Sequence, residues 1–444
     1  MPSIAQVAAS LTEVLETVPN RVARETGCIK RQGKFTGGSL VGTVVLGMLR
    51  EPAATLEELA QMAEACGVSV SAQAIDQRFT AELAATLTEV LAAAVGQVVT
   101  GDPVAIPLLA RFAGVYIQDT TTISLPKELA SDWPGCGGSG SGGQAAIKLG
   151  SRLDLLGGRL EGPFLASGRT HDRSVPGATT PLPVGSLWMA DLGLVTLARL
   201  ATIAAEGSAF LTRIKANTHI ETADGQVWDQ HSLLAIQDSD RVELPVRLGK
   251  RARIPARLLA IRVPEAVAEE RRERLRADAA RKRPRHPQPI SDERLALATW
   301  TIYVTNLPAD QLTLAEALVL VRARWQIELL FKLWKSHAHI DTSRSQQPQR
   351  IHCEVLAKLI GVVIQHWLLL TGAWGDPARS WVKLAQVVRS HVMGIASSLA
   401  EPTHLVRALT ILQRCLGSGT RMNRRAAQPN TSQRLWDLDP GGFA

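Results

Sequence analysis

Apolar positions recur every three to four residues through the first hundred positions, in a stretch rich in Ala, Leu and Glu whose one extended break is KRQGKFTGGS at 30–39. That period predicts an all-helical front end. Within it, Leu56 to Phe79 reads as a helix, a turn at Gly67 and a second helix ending at Arg78. Ala63, Gly67 and the apolar Ala74 and Ile75 approximate a helix-turn-helix, in which a small residue permits close packing and glycine supplies the turn. From about 104 the texture changes to short apolar runs punctuated by Gly and Pro. Val115 to Asp119 predicts a strand that delivers an aspartate at its end, and the Gly/Ser-rich CGGSGSGGQ at 136–144 predicts a mobile loop. Ala145 to Leu155 and Arg159 to Ala166 predict a hairpin turning at Gly157-Gly158. Leu187 to Asp191 is a further strand ending in an aspartate, followed by a helix over Val195 to Glu206 and a strand over Phe210 to Lys215.

Residues 217–263 alternate polar and apolar positions and predict a β-rich insertion. Next comes a basic stretch in which Arg271, Arg272, Arg274, Arg276, Arg281, Lys282, Arg283 and Arg285 are interleaved only with Glu273 and Asp278 as acids. Such a run is either a solvated helix or loop, or an arm that touches phosphates. Leu297 to Asn306 predicts a strand. Thr313 and Glu316 form a capping-box signature that opens one helix running to about Ser336. The pattern over 350–415 is helical, and the tail from Gly417 looks weakly ordered.

Composition narrows the classes. The chain has 444 residues, 45% hydrophobic and 20% charged, enough to bury a sizeable core, and this excludes global disorder. A formal net charge of +8 favours a polyanionic partner only mildly. Five dispersed cysteines with no C-x-x-C pair indicate neither a disulfide framework nor a structural zinc site. The opening MPSIAQVAASLTEVLET has no basic segment leading into an unbroken apolar run, so we expect no secretory signal. The longest apolar stretch, Leu359 to Thr371, is interrupted by Gln365 and His366 and predicts a buried helix, not a membrane span. The expected location is the cytoplasm.

Three carboxylates stand out by placement: Asp119 and Asp191 at strand ends, and Glu328 inside the helical RARWQIELLFKLWKS. Convergence of three such groups suits a hard divalent cation, which takes oxygen ligands. Two such ions stabilise both the attacking and the leaving oxygen of a phosphodiester displacement. Taken singly, a strand-end aspartate is as commonly a turn or cap residue. Arg324, Glu328, Lys332 and Lys335 are spaced by four, four and three, which on one continuous helix puts them on one face, opposite Leu320, Ile327, Leu330, Phe331 and Trp334. A cationic stripe around a glutamate attracts a phosphate backbone. Trp325, Trp334, Trp300 and Trp228 are aromatic faces on which a flipped base could stack; core packing is expected for Trp325 and Trp334, and Trp228, after Gly225, is the stacking candidate. His171 beside Asp172, and His337 with His339, are expected to be structural or exposed.

Arg324-x3-Glu328-x6-Lys335 within RWQIELLFKLWKS resembles the YREK signature of bacterial insertion-sequence transposases of the DDE class. The resemblance extends over most of the chain: QDTT at Asp119, ADLG at Asp191, FLTRIK, the basic stretch leading to TWTIYVTNLP, and the glutamate helix occur in the family's order. The aspartates stand 72 positions apart, and Glu328 follows Asp191 by 137. One position departs from the signature, with Val321 where the tyrosine belongs, so a hydroxyl able to bond a DNA phosphate is missing there.

The resemblance implies an α/β fold with a ribonuclease-H-like catalytic core over 104–348. Residues 217–300 would be its β-rich and basic insertion, flanked by a helical DNA-binding region over 1–100 and a helical C-terminal region over 350–444 that carries dimerisation. It implies Asp119, Asp191 and Glu328 as catalytic metal ligands for Mg²⁺ or Mn²⁺, and Arg324 and Lys335 as contacts to DNA phosphates. Lys332, Arg213 and Lys215 are further candidates on charge and position. The implied activity is nicking at the ends of an insertion sequence and transfer of the freed 3′ hydroxyl into target DNA. The implied partners are double-stranded DNA, both terminal repeats and target, and a second copy in a homodimer on DNA; the implied setting is the bacterial nucleoid. A catalytically silent DNA-binding repressor and a metal-dependent nuclease without strand transfer are the alternatives.

Overall fold

The computed structural model describes residues 3–31, 33–136, 144–282, 290–372, 374–376, 378–422 and 433–435. The expectations for the Gly/Ser loop between 136 and 144, for Arg283 and Arg285, and for most of the tail fall outside these residues. Helices α1 (Ile4–Thr12) and α2 (Val18–Glu25) run on through a π-helical turn, Glu13–Thr17. Helices α3 (Gly37–Arg50), α4 (Leu56–Ala65), α5 (Ala72–Asp76) and α6 (Ala81–Gly96) complete the first hundred residues. Strands β1 (Val115–Leu125), β2 (Ala145–Asp154), β3 (Leu160–Ser167) and β4 (Leu187–Ala190) follow. Then come α7 (Leu197–Ala205), β5 (Ala209–Thr212), β6 (Ile220–Thr222), β7 (Val227–Trp228) and α8 (Gln230–Ala235). After β8 (Arg241–Leu248) and β9 (Ile254–Arg262) the chain forms α9 (Glu265–Lys282), α10 (Asp292–Ala296) and β10 (Trp300–Thr305). It closes with α11 (Leu314–Ala323), α12 (Trp325–Ser336), α13 (Pro348–Leu370), α14 (Trp381–Ala396) and α15 (Pro402–Leu416).

These elements make a mixed α/β protein of two compact units. One gathers Met1–Ala105, Gln118–Ala178 and Gln326–Arg424; the other holds Ile106–Ile117 and Thr179–Trp325. Strand β1 starts in the second and ends in the first.

In the first unit the N-terminal and C-terminal helices share a core. Helix α3 opens on a capping box between Thr36 and Ser39, and thirteen of its fourteen residues are buried. A side chain at Gly37 would strike the backbone of Pro19, so glycine is what lets α3 approach α2 this closely. Helix α13 packs against α3 and α6. It is long and apolar enough to cross a membrane by length and composition, yet its apolar stretch is wholly buried here, as in a core helix. Its buried Glu354 is held by Arg350 at 2.9 Å and by the Ser343 hydroxyl at 2.6 Å, and Lys358 donates to the carbonyls of His339 and Thr342. Beside these helices the strands run in the order β3-β2-β1, with β2 and β3 antiparallel.

In the second unit the strand order is β1-β4-β5-β10-β9-β8-β6-β7. Strands β4 and β5 are parallel and joined through α7, a βαβ crossover; from β5 to β7 every described pairing is antiparallel.

Four expectations change. Strand β1 does not stop at Asp119 but continues through Thr120, Thr121, Thr122 and Ile123 to Leu125, because a β-branched run favours the pleated strand over a turn. The expected helix over 313–336 is two helices: at Arg324 the backbone N–H turns to the carbonyls of Val321 and Arg322, which ends α11 before α12 begins at Trp325. The strand at Phe210 stops at Thr212, leaving Arg213 and Lys215 in the loop beyond it. In the approximate helix-turn-helix, Gly67 does adopt the left-handed turn at φ +78°, but the second helix is only Ala72–Asp76. Its Ser71 cap starts it late, after Val68 to Val70, which lie in no helix or strand, and five residues are too few to lie along a major groove as a recognition helix.

Candidate active site

In the first unit, Asp119 is the fifth residue of β1, half-buried, and its Oδ1 accepts the Thr120 N–H at 2.8 Å. The strand is pinned on one side of it by Gln118, which donates to the Gly177 carbonyl at 3.0 Å. On the other side the Thr120 hydroxyl donates to Asp172 Oδ1 at 2.8 Å, and Lys148 of β2 donates to that oxygen at 2.8 Å. Partial burial works against ionisation of Asp172, but the hydrogen bonds from Lys148 and Thr120 outweigh it and hold the carboxyl below the usual aspartate range. Asp172, which sequence reading set aside, is thus part of the frame around Asp119.

Glu328 is half-buried in the first turn of α12. The opposite side of α12 is anchored by Ile327, Leu330, Phe331, Leu333 and Trp334, all buried. Lys332 is exposed and Lys335 is half-buried. Burial pulls the Lys335 ammonium below the usual lysine range against the opposing pull of Asp341. Beyond the helix, burial together with Arg389, His339 and Lys332 holds His337 below the usual histidine range, which marks a cationic end to α12.

In the second unit, Asp191 is exposed one residue past β4. The Leu194 N–H donates to its carbonyl at 3.0 Å, closing a turn, and the Thr212 hydroxyl donates to Ala190 O at 3.1 Å. Arg213 and Lys215 are exposed, and Gln230 donates to the carbonyls of Ile214 and Lys215, which fixes the loop that carries them. Arg324 sits at the break between α11 and α12, off the regular stripe expected for it.

Asp119 and Glu328 therefore belong to one unit and Asp191 to the other, and among the described residues no group of three or more His, Cys, Asp or Glu side chains is gathered as a metal site. The aromatic expectations split. Trp334 and Trp300 are buried, and the Arg262 guanidinium lies 4.8 Å from the Trp300 ring centre. Trp228 is half-buried with its ring N–H donating to Thr222. Trp325, expected in the core, is 57% exposed, because it lies on the face of α12 that carries the exposed Leu329 and Lys332, opposite the buried Ile327, Leu330 and Trp334.

Residues 110–364 match the family described as the transposase DDE domain. The chain belongs to that family. It is similar to the transposase for insertion sequence element IS231F of Bacillus thuringiensis subsp. israelensis, at 25% identity over 91% of this chain and 89% of the relative. It is also similar to the transposase for IS231C of Bacillus thuringiensis subsp. berliner, at 26% over 77% and 75%, and to that for IS1151 of Clostridium perfringens, at 23% over 79% and 78%. The protein is a DNA transposase, an enzyme that acts on DNA, and this family works with divalent metal ions. The three carboxylates fit such an ion chemically: all are hard oxygen donors on exposed or half-buried positions within the matched span.

Proposed function

We propose that Asp119, Asp191 and Glu328 are the catalytic carboxylates of a ribonuclease-H-like core spanning 104–348, and that they hold Mg²⁺ or Mn²⁺. The reaction is nicking at the ends of an insertion sequence followed by attack of the 3′ hydroxyl on target DNA. Supporting this, each carboxylate lies in the family-matched span, and Asp119 and Glu328 are each held by an ordered backbone element. When bound, the ions supply Lewis-acid stabilisation of charge on the scissile phosphate. The chain's own residues do the rest. The Thr120 N–H orients the Asp119 carboxylate, Lys148 and Asp172 hold Thr120, and α12 carries Glu328. Arg324, Lys332, Lys335, Arg213 and Lys215 bind phosphates and hold the end in place. The helical region over 1–100 reads the terminal repeats, the region over 350–444 supports a dimer on DNA, and the protein works in the cytoplasm at the nucleoid.

The decisive experiment is Mg²⁺-dependent cleavage of a labelled duplex carrying the element's own end, comparing wild type with Asp119→Asn, Asp191→Asn and Glu328→Gln. Cleavage by wild type alone, with end binding kept in all four, supports the triad; retained cleavage removes the substituted residue from it. Cutting without regard to the end would make the protein a plain nuclease, and binding without cutting a repressor.

A further inference from the structure

Arginines from two separate segments of the second unit lie beside Tyr303 of β10. Strand β10 pairs with β5 at Thr305 with Leu211 and Val304 with Thr212, and Tyr303 and Arg213 are the next residues beyond that last pair. Helix α9 sends Arg271 to β10. Arg271 donates to the Trp300 carbonyl at 3.1 Å and to the Thr301 hydroxyl at 3.0 Å. Thr301 and Tyr303 share a face of the strand, so the Arg271 guanidinium lies along the Tyr303 side. Three other arginines of α9 are neutralised instead: Arg272 by Glu265 and Glu269, Arg276 by Glu269, and Arg274 by Glu270.

The half-buried Tyr303 phenol is pushed up by burial, and the charges that pull it back are the guanidiniums of Arg213, Arg324 and Arg271. Burial and the neighbouring Arg213 likewise pull Arg271 down. Guanidiniums repel one another, and a phosphodiester oxygen offers the compensating charge with planar hydrogen-bonding geometry. The raised phenol stays protonated at neutral pH and is a donor.

We propose that Tyr303, Arg271 and Arg213 form a binding site for one backbone phosphate of the element's end, with the Tyr303 hydroxyl as a neutral donor beside the two cations. This rests on the end-cleavage reading above, and it adds Tyr303 and Arg271 to the residues that grip DNA.

The test is a titration of a duplex carrying the element's end with wild type, Tyr303→Phe and Arg213→Gln, at several salt concentrations, with melting temperatures as a folding control. Tyr303→Phe weakens end binding about tenfold, the scale of one hydrogen bond to a charged group, and leaves the salt slope unchanged because no charge is lost. Arg213→Gln lowers the slope by about one. Replacing end phosphates one at a time by neutral methylphosphonates then finds a single position whose substitution weakens wild type but not Tyr303→Phe. If wild type binds and cuts the end while Tyr303→Phe binds equally well, or pays the same penalty as wild type at every position, the phosphate site is overturned and end cleavage stands. If wild type neither prefers nor cuts the end, the end-cleavage reading falls and the phosphate site with it.

Discussion

Lys148 donates to Asp172 Oδ1 at 2.8 Å, onto the same oxygen that accepts the Thr120 hydroxyl, so an ion pair of β2 with the following loop steadies the residue next to Asp119. With Asp119 as a metal ligand, as proposed, removing a support of this kind typically costs 10- to 100-fold. Asp172→Asn and Lys148→Met should each lower the cleavage rate by about that factor with end binding unchanged, and Lys148→Arg should recover part of it. A drop in binding that matched the drop in rate would make the pair merely structural. The pH effect has a definite sign. The folded carboxyl of Asp172 titrates below its unfolded value, so its stabilisation is complete above about pH 4 and is lost as pH falls through the depressed value. Wild type should therefore lose melting temperature faster than Asp172→Asn below about pH 4.

The strands and caps were legible in the sequence because their signals are local. Thr313 and Glu316 form the capping box their spacing announced, and the alternating 217–263 segment yields β6 through β9. The site was less legible wherever it depends on what lies beyond the local window. Nothing in the apolar period over 313–336 marks the break at Arg324, and Trp325 read as core only because its helix is otherwise apolar, although the period sets it opposite Ile327, Leu330 and Trp334. The basic run on α9 reads in the sequence as either a solvated helix or a phosphate arm, since its charge partners Glu265, Glu269 and Glu270 lie up to a helical turn or two before the arginines, and only tertiary packing singles out Arg271. The frame formed by Lys148, Asp172 and Thr120 joins residues up to 52 positions apart, which no spacing rule reports.

The two tryptophans of α12 separate these effects. Trp325 is 57% exposed and Trp334 is 1% exposed and packed edge-on against Phe331. Trp334→Ala should cost about 3–5 kcal/mol by emptying a core position, read as a fall in denaturant midpoint. Trp325→Ala should change stability by no more than about 0.5 kcal/mol. If the exposed ring stacks on a base of the element's end, the same Trp325→Ala substitution also weakens end binding about tenfold, within the usual range for one base on one aromatic face. Unchanged binding with unchanged stability would leave Trp325 without a role in gripping DNA.

His366 gives the protein a second pH dependence, at higher pH than that of Asp172. Its Nε2 lies 2.7 Å from the Gly158 carbonyl, which can only accept, so Nε2 carries the proton and the ring is neutral. Nδ1 is buried with no hydrogen-bond partner, and a proton added there would be a desolvated donor with nothing to receive it. Burial accordingly pushes the imidazole down to about 4, with the Gly158 carbonyl opposing. In the unfolded chain the group titrates near 6.5, so between about pH 6.5 and 4 the unfolded state binds the additional proton and stability rises with pH. The stabilisation is complete above 6.5 and is lost progressively on acidification, by about 3 kcal/mol at pH 4. Melting temperatures of wild type between pH 7 and 4 should fall accordingly, and those of His366→Gln, which keeps an N–H donor but cannot take the proton, should start lower and lose that slope. Parallel curves for the two proteins would show that His366 is protonated or exposed in the folded state.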